Sequence, residues 1–115
     1  MFDSLKNLGN LGEIMNAAKQ MQEQMKKLQE ELAARTVTAD AGGGMVQATV
    51  NGRMELVRLK IDKSKIDVAD TDMLEDVIVA AVNAAQARAA DMAKEQMQKK
   101  AGEMGLPPGM LGNDE

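Results

Sequence analysis

The chain has 115 residues, with 14 Lys plus Arg against 18 Asp plus Glu for a net charge of −4, and no His, Cys, Trp or Tyr. Metal sites built on imidazole or thiolate, thiol nucleophiles, disulfides and a side chain that titrates by default near neutral pH are all excluded. The length suits one domain, and because 17 Ala and 11 Met supply much of its apolar content, its core should be thin enough to need a partner subunit.

The start, Met1-Phe2-Asp3-Ser4-Leu5-Lys6, lacks a basic stretch followed by an apolar run. No segment approaches the roughly 20 apolar residues of a membrane span, so the expectation is a soluble cytoplasmic protein without membrane attachment. Residues 1–10 read as a flexible N-terminal segment and residues 11–101 as the folded domain. Within it, Leu11, Ile14, Ala18, Met21, Met25, Leu28 and Leu32 recur at alternating steps of three and four. That spacing predicts a heptad seam on a helix from about Gly12 to Ala34. Glu23 to Lys27 and Lys26 to Glu30 are i,i+4 pairs for its solvated face.

Thr36–Asp40 switches to a period of two with β-branched residues and predicts a strand, closed by the turn Ala41-Gly42-Gly43-Gly44. A second strand is expected over Met45–Val50 and a third over Arg53–Ile61, joined at Asn51-Gly52 by a type I′ turn. On the third strand Val57, Leu59 and Ile61 would share one face, with Met54, Leu56, Arg58 and Lys60 on the other. Asp72 and Glu75 form a capping-box pattern. They open a second long helix that continues through an Ala-rich stretch to Ala101, with Gly102 suited to its end. The fold class expected is α+β: a helix, a three-stranded antiparallel sheet and a second helix. Both helices outreach the strands, so Met, Leu and Ala surface would be left in water, which points to a homodimer with projecting helices. Residues 102–115, with two prolines, several glycines and only acidic charges, read as a flexible acidic tail.

The charges are unevenly spread. Residues 36–65 carry five bases against three acids, whereas residues 66–101 carry four bases against seven acids. Lys19, Lys26 and Lys27 on the first helix, Arg88, Lys94, Lys99 and Lys100 on the second, and Arg53, Arg58 and Lys60 on the third strand are candidate phosphate contacts. Acids alternate with these bases, which is also the pattern of an ordinary solvated face. With Phe2 as the lone aromatic residue, stacking on bases is not expected. Gly42-Gly43-Gly44 is not a phosphate loop, because no Lys-Ser or Lys-Thr pair follows and a strand comes next. No catalytic, cofactor-binding or metal-binding constellation emerges, so an enzyme is not expected. The Met and Leu seam suits a core or dimer interface, and it also suits an adaptable surface for other proteins.

The element order, the run Met21-Gln22-Glu23-Gln24-Met25-Lys26-Lys27-Leu28-Gln29-Glu30-Glu31-Leu32, and the landmarks Gly42-Gly43-Gly44-Met45-Val46, Val50-Asn51-Gly52, Ile61-Asp62, Asp72-Met73-Leu74-Glu75-Asp76, Ala80-Ala81-Val82-Asn83-Ala84-Ala85 and Gly105-Leu106-Pro107-Pro108-Gly109 together resemble the YbaB/EbfC family of bacterial nucleoid-associated proteins. The likeness extends over nearly the whole chain. It implies a tweezer-like cytoplasmic homodimer, associated with the nucleoid, that binds double-stranded DNA with little sequence preference and could influence nucleoid organisation or gene expression. The competing reading is a protein-protein interaction module that uses the helical seam without touching DNA.

Overall fold

The computed structural model describes residues 2–105. The chain runs α1 (Phe2–Ala34), β1 (Thr36–Ala41), β2 (Val46–Asn51), β3 (Leu56–Ile61) and α2 (Thr71–Glu103), the α+β order expected from the periodicities. Up to Glu30, α1 belongs to one compact unit; its last turn, the sheet and α2 belong to a second. The first helix starts at Phe2, ten residues ahead of the expected Gly12. Gly9 and Gly12 do not stop it, since an isolated glycine costs a helix only about 1 kcal/mol relative to Ala. Residues 106–115, most of the expected acidic tail, lie outside the described part of the chain.

The strands pair antiparallel in the order β1-β2-β3, with Val37 opposite Val50, Ala39 opposite Ala48 and Ala41 opposite Val46. Alternation puts these six side chains on one face, and Val46, Ala48, Val50 and Ala39 are buried there. Ala81, Ala85 and Ala89 of α2 complete that core. Their spacing of four keeps them on one helical stripe, and their size lets the helix backbone approach the sheet closely. Leu74, Val77, Ile78 and Val82 pack around this contact. Helix α2, at 33 residues, is about 50 Å long, while a six-residue strand reaches only about 20 Å. The helix therefore extends past the sheet.

Glycines shape the first hairpin directly. Gly42, Gly43 and Gly44 adopt φ of +66°, +68° and +91°, a left-handed run that side chains with a Cβ resist. The second hairpin corrects the sequence expectation. Asn51 ends β2, the connection runs to Glu55, and the residue at positive φ is Met54, at +67°. No two-residue Asn-Gly turn forms. The buried Asn51 side chain organises a longer loop, with Oδ1 accepting the Arg53 and Glu55 amides at 2.9 and 3.0 Å and Nδ2 donating to Glu55 Oε1 at 2.8 Å and to the Ala33 carbonyl at 3.3 Å. Gly52 is needed for closeness: its N–H donates to the Leu32 carbonyl at 2.8 Å, and a Cβ there would stand 2.9 Å from both Leu32 Cδ2 and Leu32 O.

A bulge changes the facing on β3. Thr49 pairs with Arg58 but Val50 pairs with Leu56, so Val57 is the extra residue and Leu56 sits beside Val50, off the polar face where strict alternation had put it. Helix α2 also starts differently. Its N-cap is Asp70, whose side chain accepts the Met73 amide at 3.3 Å, while Asp72 lies in the first turn, where its charge suits the helix dipole. At the other end the helix continues to Glu103, and the left-handed residue is Gly105, not Gly102.

Candidate nucleic-acid interface

The face of the sheet away from α2 is polar. Two cross-strand rows lie on it, Thr38-Thr49-Arg58 and Asp40-Gln47-Lys60. Thr38 and Thr49 share a hydroxyl hydrogen bond of 2.8 Å. Between the rows is a hollow of about 150 Å³ lined by Thr38, Gln47, Thr49, Arg58 and Lys60. Beside it a smaller hollow of about 90 Å³ is lined by Gly44, Gln47, Lys60, Asp62 and Lys65.

Of the ten cations proposed from sequence, two are engaged in holding the fold. The Arg88 guanidinium donates to the carbonyl of Thr38 on edge strand β1 at 2.7 Å. Lys100 lies 3.4 Å from Glu31 and 3.8 Å from Glu103. Among the described residues the other eight have no ion pair: Lys19, Lys26 and Lys27 are exposed on α1, Lys94 and Lys99 on α2, and Arg53, Arg58 and Lys60 on or next to β3. Arg58 and Lys60 are brought together with other polar groups in a concavity. Thr38, Gln47 and Thr49 escaped the sequence reading because neutral polar residues on strands carry no local signal. Strand register alone aligns them with Arg58 and Lys60.

Asp62 is the one acid in the smaller hollow, and its charge is locally satisfied. It accepts the Ser64 hydroxyl at 2.6 Å and the Ser64 amide at 3.0 Å, with Lys65 at 4.0 Å. These hydrogen bonds hold its carboxyl below the ordinary carboxylate value against the opposing effect of desolvation, with the attraction of Lys65 and Lys60 adding to them. The folded-state value is the lower one, so the associated stability is present above the unfolded value and lost as pH falls through the folded one.

Among the described residues no group of His, Cys, Asp or Glu is arranged to hold a metal. Among the described residues no helix is long and apolar enough to cross a membrane. What the geometry offers is a set of uncompensated cations on exposed helix faces and on a polar sheet, suited to a polyanion.

Comparison with known proteins agrees. The chain is 46% identical over 98 residues to a nucleoid-associated protein of Thermoanaerobacter pseudethanolicus, covering 85% of this chain and 88% of that one. It is 46% identical over 93 residues to a nucleoid-associated protein of Syntrophobacter fumaroxidans, covering 81% and 84%. The crystal structure of an uncharacterized protein from Helicobacter pylori superposes with a TM-score of 0.55 at 28% identity, covering 69% of this chain and 92% of that one. The model of the YbaB/EbfC DNA-binding family, a family of DNA-binding proteins and not of enzymes, matches residues 7–104, and the chain belongs to that family.

Proposed function

We propose that the protein is a nucleoid-associated homodimer that binds duplex DNA through its phosphates, with little sequence preference, and thereby affects nucleoid organisation or gene expression. The observation that supports this reading is that eight of the ten candidate cations have no ion pair among the described residues, on a chain whose net charge is −4. Bulk attraction is not available to such a chain, so binding depends on where the charges lie. A single Phe offers no platform for stacking on bases, and the phosphates are the groups through which cations bind a duplex whatever its sequence.

Two uncovered apolar surfaces support the dimer. Leu11, Ile14, Met21 and Met25 of the α1 seam are 49%, 62%, 50% and 46% exposed. Leu56, Val57 and Leu59 are exposed on β3 at the edge of the sheet. A second copy would cover such surfaces and duplicate every cation about a two-fold axis.

The test is reversal of Lys19, Lys26 and Lys27 to Glu together. Light scattering should still report two chains per particle, while the affinity for a duplex at low salt falls at least about tenfold. An intact dimer with unchanged duplex affinity would remove α1 from the interface. Loss of dimerisation on changing Met21 and Met25 to Glu, with no DNA binding by the wild type, would favour the protein-interaction reading of the seam.

A further inference from the structure

We propose that the larger hollow on the open face of the sheet is a phosphate seat, in which Arg58 and Lys60, with Gln47, Thr38 and Thr49, hold a backbone phosphate of duplex DNA. The inference rests on the DNA-binding reading and gives it a defined place on the molecule that is separate from the helices.

The lining carries the argument. Arg58 and Lys60 are two positions apart on β3, so both point to the same face about 6.8 Å apart along the strand. Gln47 and Thr49 stand opposite them on β2, and Thr38 stands beyond on β1. The guanidinium, the ammonium and the carboxamide all bring N–H donors. Thr38 and Thr49 bond to each other at 2.8 Å, which uses one hydroxyl proton and leaves the other available to a ligand. A phosphodiester is ionised and presents acceptors only, the complement of this set.

Charge selects this hollow over its neighbour. None of its five lining residues is an acid, whereas the smaller hollow includes Asp62. Asp40 shares a row with Gln47 and Lys60 but sits two strands from Lys60, at the far side of the sheet, and does not line the hollow. Among the described residues neither Arg58 nor Lys60 is within ion-pair distance of a carboxylate, and the acid that Lys60 feels, Asp62, lines the smaller hollow and is already bonded to Ser64. Arg88, fixed on the Thr38 carbonyl, adds a third positive charge at the β1 margin. Size is also adequate, because about 150 Å³ is some tenfold more than the ~10–15 Å³ one water requires. The segment that builds the sheet, residues 36–65, is the one stretch of the chain with more bases than acids. All of these residues belong to a single compact unit, so the seat is built by the fold itself.

The test compares the full-length wild type with Arg58→Gln/Lys60→Gln and with an equal-charge control, Arg35→Gln/Lys63→Gln. Binding to a fluorescent duplex of arbitrary sequence is followed by anisotropy over a salt series, with circular dichroism verifying the fold. Each phosphate contact contributes about 0.9 to the slope of log K against log salt. With one phosphate per seat, Arg58→Gln/Lys60→Gln should therefore lower the slope by about 0.9 for each copy engaged, while the control leaves it near the wild-type value. A second variant, Gln47→Glu, puts a carboxylate into the hollow and should weaken binding at low salt. Equal slopes for the two paired variants, or a wild-type slope for Arg58→Gln/Lys60→Gln, would overturn the seat while leaving DNA binding intact. A wild type that binds no duplex would overturn the DNA reading itself, and the seat with it.

Discussion

Ala85→Leu should lose about 3 kcal/mol of stability, lowering Tm by on the order of 10–20 °C for a unit of this size. Ala85 is fully buried in one cluster with Ala39, Ala48, Ala81 and Ala89. Helix α2 sits against the sheet through these buried methyl groups, so three added carbons overfill the contact and push helix and sheet apart. The loss is large against the 5–15 kcal/mol that is usual for a domain. Ala87→Leu, two residues on and exposed, adds the same atoms to the same helix and should move Tm by only a degree or two. Equal Tm values for the two variants in a thermal melt would show that close helix-sheet packing is not what holds α2.

Gly52→Val should be almost as damaging, at about 3 kcal/mol, and even Gly52→Ala should cost more than Gly43→Ala. The comparison is informative because conformation and packing point in opposite directions. Gly43 has φ of +68° with nothing within 4 Å of a Cβ, so Ala there meets only left-handed strain of about 1 kcal/mol. Gly52 carries no such strain, but its Cβ would strike Leu32 at side chain and backbone, 2.9 Å from each. It cannot withdraw without stretching its hydrogen bonds to the Leu32 and Arg35 carbonyls, at 2.8 and 3.1 Å. Urea midpoints should rank wild type, Gly43→Ala, Gly52→Ala and Gly52→Val from most to least stable. A Gly43→Ala midpoint below that of Gly52→Ala would contradict the docking of this loop on the last turn of α1.

The same pair of glycines shows what sequence reading reaches and where it ends. The Gly42–Gly44 turn was legible because its requirement is local: three consecutive left-handed residues need glycine whatever surrounds them. Asn51-Gly52 was misread because both residues answer to tertiary structure, Asn51 through hydrogen bonds to Ala33 and Glu55 and Gly52 through contact with a leucine twenty residues earlier. Both residues occur in tight turns for other reasons, so the dipeptide alone could not distinguish the cases. The bulge at Val57 was hidden similarly, since alternation on one strand does not reveal an unpaired residue until the partner's register is known. The capping-box spacing singles out Asp72, and only the bond to the Met73 amide shows that the cap is Asp70.

For the interface, the sequence identified cations but not their occupancy. Arg88 looks like Lys94 or Lys99 until the fold brings it to the Thr38 carbonyl, fifty residues away, and Lys100 is indistinguishable from Lys99 until Glu31 lies beside it. Arg58 and Lys60 were recognisable as a basic pair on one strand. Their neutral neighbours Thr38, Gln47 and Thr49 entered only through pairing across three strands. Periodicity could therefore supply the element order and one face of the sheet, while the sorting of charges into structural and available ones required the folded chain.

The measurement that bears most directly on phosphate-directed binding is the affinity of the wild-type protein for unrelated duplex sequences across a salt series. Log K should fall linearly with log salt, with a slope of several units and nearly the same line for every sequence. Binding that persists undiminished from low to moderately high salt, or that distinguishes one sequence from the others by orders of magnitude, would contradict it.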